Sequence, residues 1–124
     1  ALETIQQQLG YFDQLSPDLQ IRFLNESVKG LSGSTALLDQ MVQLWQSGQS
    51  DELAALMNEA LKTTPELAEL LLDKRNQDWA EKLEKQLAQP GTVFVAVGSG
   101  HLAGAASVQQ YLAQRGLTVE RIAY

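Results

Sequence analysis

Apolar residues return every three or four positions from Leu2 to about Ala88, the period of helices that bury one face. Leu2, Ile5, Leu9 and Phe12 predict a first helix, weakened toward its end by Gly10. Ser16-Pro17-Asp18 is a strong start signal: an N-cap hydroxyl, a proline at the first helical position and an acid in the first turn. Ile21, Leu24, Val28 and Leu31 mark one face of this second helix, which Gly30 and Gly33 end. Leu37, Leu38, Met41, Val42, Leu44 and Trp45 predict a third, stopped by Ser47-Gly48. Ser50-Asp51 opens a fourth whose buried face reads Leu53, Leu56, Met57, Ala60 and Leu61. Each of these stripes reads as core packing, with no other role assigned to it.

Thr64-Pro65-Glu66 caps the longest helix, expected to run to about Ala88 before Pro90-Gly91 ends it. The pattern then changes. Thr92–Val97 is a short apolar run and predicts a strand, Leu102–Gln114 predicts a helix stopped by Arg115-Gly116, and Thr118–Ile122 alternates like a second strand. Strand, helix and strand within about thirty residues is the size of a right-handed βαβ unit, which makes the two strands parallel. The expected fold class is therefore α/β, mostly helical: a helical bundle over residues 1–89, then a C-terminal β-α-β unit over residues 92–122. Two strands make a poor sheet. The unit reads as an incomplete piece of a larger α/β domain, and the abrupt opening at Ala1-Leu2-Glu3-Thr4, without Met, is read the same way.

Composition narrows the function classes. A chain of 124 residues with 44% hydrophobic residues supports one domain with a single core. Nine Lys and Arg against fifteen Asp and Glu leave a net charge of −6, which disfavours nucleic acid as a partner. No apolar run approaches the roughly 20 residues of a membrane span, and no signal-peptide pattern opens the chain. The absence of cysteine rules out a disulfide framework and a thiolate metal site, without placing the protein in a redox compartment.

Candidate chemistry gathers at two places. On the long helix, Leu72, Trp79, Leu83 and Leu87 share a face, with Asn76 near its middle and Arg75 on its border. A polar pair within an apolar stripe either kinks the helix and finds local partners, or aims a guanidinium and a carboxamide into a site. The second place is the loop Gly98-Ser99-Gly100-His101, where the only histidine follows the apolar run Val93–Val97. Gly98, Gly100 and Gly104 overlap loosely with nucleotide-binding turns. His101 itself reads as a helix cap, as a general base or as one ligand of a metal whose other ligands are carboxylates or lie elsewhere.

The run Val93–Gly104, the later Gln114-Arg115-Gly116-Leu117-Thr118-Val119-Glu120-Arg121-Ile122, Leu2-Glu3-Thr4 and Arg75-Asn76 together resemble the TraB/GumN family, in order along the whole chain. That family includes the Tiki proteins, described as metal-dependent proteases. The resemblance implies the C-terminal part of a metal-dependent hydrolase, with a peptide or protein as substrate and Mn, Co or Zn as the divalent metal of the full-length protein. It implies that His101 and Glu3 serve the metal or its bound water, with Arg75 binding substrate or stabilising an oxyanion. Gly98, Ser99, Gly100 and Asn76 fall at cofactor-binding positions of the same motifs. The family's first Gly-x-x-His motif is absent from these residues, so the resemblance implies no competence for this chain alone. Bacterial members are often exported, periplasmic or membrane-attached, which is all that bears on location. The alternative is a non-enzymatic protein-interaction or assembly domain.

Overall fold

The computed structural model describes residues 1–30, 33–62 and 64–122. Its elements are α1 (Ile5–Asp13), α2 (Pro17–Gly30), α3 (Ser34–Gln46), α4 (Ser50–Lys62), α5 (Pro65–Ala68), a π-helical turn (Glu69–Asp73), α6 (Lys74–Leu87), a 3-10 turn (Ser99–His101) and α7 (Val108–Gln114). Their ends follow the punctuation of the sequence. Thr4 accepts from the Gln7 amide while the Gln7 side chain accepts from the Thr4 amide, a reciprocal cap that starts α1. The Ser16 hydroxyl accepts from Leu19 N at the head of α2, beside Pro17. After α3, Gly48 takes φ of +69°, a value that glycine adopts without strain.

The segment predicted as one long helix is continuous from Pro65 to Leu87, but its second turn is π-helical. Such a turn holds one residue more than an α-helical turn. It ends with one residue between it and Arg75, and the Leu71 carbonyl within it accepts from Arg75 Nη1 at 3.0 Å.

The expected β-α-β unit is not formed. Among the described residues there is no strand and no sheet. Residues 92–98 and 117–122 carry neither helix nor strand pairing, and they flank a helix much shorter than Leu102–Gln114. A strand needs a hydrogen-bonding neighbour at about 4.8 Å, and no other described segment supplies one to either run. Phe94, 91% exposed, shows the uncovered side of the first run. The helix is shortened because Gly104 turns the chain at φ +81°, and α7 begins only at Val108, after its cap Ser107, whose hydroxyl accepts from Gln110 N.

The core lies where α6 packs on α7. Trp79, Leu83 and Val108 form it, with Leu2, Val97 and Leu112 packed around them. Arg115 bridges to Glu84 at 2.6 Å across the same pair of helices. The stripes of the first three helices do not join this core: α1, α2 and α3 contain no buried residue among those described. Leu31 lies outside the described residues. On α4, Leu53 and Ala54 are buried and Leu56, Met57 and Leu61 half-buried, while the side chain of Ala60 is not among those described.

Candidate functional site

Three segments far apart in sequence meet at the core. The stretch before α1 brings Glu3, the start of α6 brings Arg75, Asn76 and Trp79, and the 3-10 turn brings His101. Arg75 and Asn76 are neighbours in sequence and point to different partners. Trp79 follows them by four and three positions, which puts it on the same helical face.

Arg75 holds Glu3 with two parallel hydrogen bonds, Nε to Oε1 at 2.8 Å and Nη2 to Oε2 at 2.9 Å. The pair is well shielded: the Glu3 side chain is 2% exposed and that of Arg75 18%. Tyr11 adds a hydroxyl donor to Glu3 Oε1 at 3.3 Å. The guanidinium carbon also lies 5.1 Å from the Trp79 ring centre and 5.5 Å from that of Tyr11, the range of cation–π attraction. Burial alone would raise the Glu3 pKa, but the hydrogen bonds and charge of Arg75, helped by Trp79 and Gln8, bring it below the usual value. The Trp79 indole N–H makes no well-formed hydrogen bond, so its effect on Glu3 is one of proximity.

Asn76 is 1% exposed and spends its carboxamide in two directions. Its Nδ2 donates to the Ala106 carbonyl at 2.6 Å, and its Oδ1 lies 2.6 Å from His101 Nδ1. The first contact fixes the second. A carbonyl can only accept, so Nδ2 must face Ala106 and Oδ1 must face the imidazole. An acceptor at Nδ1 requires the proton there, which leaves Nε2 with the free lone pair. The ring also stacks against Trp79 with centroids 4.4 Å apart and planes at 37°. Burial chiefly, and then the positive charge of Arg75, push the His101 pKa down to about 4, against a smaller upward pull from Glu3. His101 is therefore neutral at pH 7.

Glu3, Arg75, Trp79, Lys82 and His101 line one cavity of about 760 Å³, bounded on another side by the unpaired run Val93–Gly98. Lys82 donates to the Leu2 carbonyl at 2.7 Å and so ties down the segment that carries Glu3.

In the glycine loop, the amides of His101 and Leu102 donate to the carbonyls of Gly98 and Ser99, which closes the turn. Ser99 donates its hydroxyl to Met57 Sδ at 3.1 Å, and Gly100 is buried against Met57 and Asn58. Of the residues placed at cofactor-binding positions, Gly98 accepts from the His101 amide and Asn76 meets the His101 ring, while Ser99 and Gly100 form the turn with His101. His101 ends the 3-10 turn and does not cap α7.

A divalent metal is a separate question. Among the described residues no three His, Cys, Asp or Glu side chains come together as a metal-binding group. Both oxygens of Glu3 are held by Arg75, and the cluster brings together at most two candidate ligand groups, the Glu3 carboxylate and His101 Nε2. A stable site needs three or four. The residues of this chain do not fit a divalent metal by themselves.

Trp79, Tyr11 and Lys82 belong to this site; the sequence placed Trp79 on the face of Asn76 without a site role and did not mark the other two. The signal available was the helical spacing of Trp79 from Arg75; nothing local marked Tyr11 or Lys82.

The arrangement defines a class of protein: a helical scaffold that assembles a shielded Arg–Glu pair and an amide-locked neutral imidazole on one cavity wall. The chain belongs to the TraB/PrgY/gumN family, whose model matches residues 1–121. No curated protein and no solved structure matches it. No helix among the described residues is long and apolar enough to cross a membrane.

Proposed function

We propose that this chain carries the C-terminal share of a hydrolytic site of the TraB/GumN kind, with His101 as its proton acceptor and a peptide as its substrate. The observation that carries the reading is the locked tautomer. Asn76 on α6 and Ala106 in the turn before α7 together hold the proton on Nδ1 and leave Nε2 its lone pair, in a residue that lines the cavity. A ring held neutral down to about pH 4 is ready to accept a hydrogen bond or a proton from water throughout the physiological range. Its low basicity limits how far it can pull that proton, so the charge beside it has work to do.

Arg75 supplies that charge. Three of its five N–H groups are committed, two to Glu3 and one to Leu71, which leaves one on each terminal nitrogen for an oxygen that gains negative charge. Glu3 acts as the counter-charge that makes a shielded guanidinium tolerable and aims it. In this reading neither Glu3 nor Arg75 reacts covalently.

The test is hydrolysis of a peptide library by the full-length protein and by His101→Gln, Arg75→Lys and Asn76→Asp. Loss of turnover by about a hundredfold or more in the His101 variant, with folding retained, is the expected result. Wild-type turnover in His101→Gln sinks the assignment. Calorimetry with Mn²⁺, Co²⁺ and Zn²⁺ on the same proteins asks separately whether Nε2 is a ligand: binding indifferent to His101 removes it from any metal site. A second reading, an assembly domain, is favoured by the uncovered faces of α1–α3.

A further inference from the structure

The cavity beside His101 is charged against the grain of the chain. The 124 residues carry nine Lys and Arg against fifteen Asp and Glu. Arg75, Lys82 and Lys85 line the cavity, and among the described residues Glu3 is the only acid that does. A cleft whose wall carries one sign of charge concentrates ligands of the other.

Two of the three cations have counter-charges. Arg75 holds both oxygens of Glu3, and Lys85 meets Glu81 at 2.5 Å as an exposed pair. Lys82 has none. Its Nζ donates to the Leu2 carbonyl at 2.7 Å, and among the described residues no carboxylate stands within ion-pair distance of it. Lys82 is half-buried, and an ammonium that gives up water without gaining a counter-charge is disfavoured. A tether to one carbonyl asks for a single N–H and no charge. The ammonium has three, so two donors and the full charge remain for something else.

The position of that charge says what it meets. Arg75, Trp79, Lys82 and Gln86 recur at intervals of four, three and four along α6, so one stripe of the helix faces the cavity. Arg75 and Lys82 hold the consecutive residues Glu3 and Leu2, which puts the ammonium on the same short segment as the guanidinium. A peptide lying against His101 therefore passes Lys82, and the ordinary anionic group of a peptide is a carboxylate.

We propose that Lys82 anchors a carboxylate of the ligand: the cavity selects peptides that bring a C-terminal carboxylate, or an Asp or Glu side chain, to its ammonium. The inference rests on the reading that a peptide occupies this cavity, and not on whether His101 hydrolyses it. The carboxylate supplies the missing counter-charge while the contact to Leu2 is kept, because the ammonium has donors for both. Lys82 is a specificity residue and takes no part in proton transfer.

The experiment is NMR titration of the full-length protein carrying His101→Gln, so that turnover does not consume the ligand. The probes are acetylated hexapeptides of alternating Ala and Ser: one with a free C-terminal carboxylate, one amidated, and two amidated with Glu or Gln in place of a central Ser. A carboxylate-bearing peptide binds about tenfold tighter than its uncharged counterpart. Whether the terminal or the Glu carboxylate does so names its source. Adding Lys82→Gln brings the preference to unity, Lys82→Arg keeps it and Lys85→Gln leaves it unchanged. The ratio separates this role from a structural one, because a loosened Leu2–Glu3 segment weakens charged and uncharged peptides alike. Equal binding of charged and uncharged peptides overturns the proposal, as does a preference that survives Lys82→Gln, or binding of none of the peptides. A protein that prefers carboxylates and hydrolyses nothing refutes the hydrolytic reading alone.

Discussion

Acid should loosen this protein before ordinary carboxylates begin to titrate, and His101 is the reason. The unfolded imidazole titrates near 6.5 and the folded one at about 4. Between those values the unfolded chain binds a proton that the folded chain refuses, so stability falls as pH falls. The full difference of 2.5 pH units corresponds to about 3 kcal/mol at 1.36 kcal/mol per unit, and water in the cavity screens part of it. Roughly 2 kcal/mol of this is lost between pH 7 and pH 4.5. Glu3 adds its loss later, because its depressed pKa keeps its contribution intact until pH drops below the usual carboxylate value of 4.5. Urea unfolding followed by circular dichroism at half-unit steps from pH 7 to 4.5 measures the effect. The control is His101→Gln, which keeps a donor for Asn76 Oδ1 and does not titrate. The wild type should lose stability over this range while the variant stays nearly flat. Parallel curves would refute the reasoning, because they would mean that the ring is as free to protonate folded as unfolded.

Two further changes probe the geometry around that ring. Asn76→Asp puts a carboxylate 2.6 Å from Nδ1, which favours the imidazolium; the His101 pKa should rise, as read from imidazole proton shifts by NMR. The same change gives up the donor to Ala106 and costs about 2 kcal/mol or more in a melt above pH 7, since that carbonyl loses its partner in a buried place. The glycines should split in sign. Gly10→Ala in α1 meets nothing within 4 Å and should stabilise by about 0.5–1 kcal/mol, whereas Gly104→Ala must hold φ at +81° and should destabilise by about 1 kcal/mol. Thermal melts of the two variants moving in the same direction would contradict this.

What could be read in the sequence was what the chain decides locally. Ser16-Pro17, Ser47-Gly48 and Ser50-Asp51 mark helix ends because capping groups act within a turn of where they stand. Asn76 in the middle of an apolar stripe was legible as an anomaly, and the structure gives it two partners. The orientation of His101 was not legible, since it depends on Ala106, 30 positions from Asn76. The strands were misread for a related reason. Val93–Val97 has the composition of a buried strand, but a strand is a relation between two segments, and no described segment pairs with this one. Periodicity likewise marks a face that wants covering, not what covers it, so the stripes of α1–α3 read the same as that of α6. The π-helical turn left no trace in a pattern of leucines.

The contact between Glu3 and Arg75 spans 72 positions, and that between Lys82 and Leu2 spans 80. Helices α1–α4 lie within the loop so closed, and their own hydrogen bonds reach only four residues. The site is thus the product of a long-range closure laid over helices whose own contacts are local, and the entropy of that closure falls on these few bonds. A single cut anywhere between α1 and α5 would leave Arg75, Asn76 and His101 on one piece and Glu3, the counter-charge of Arg75, on the other.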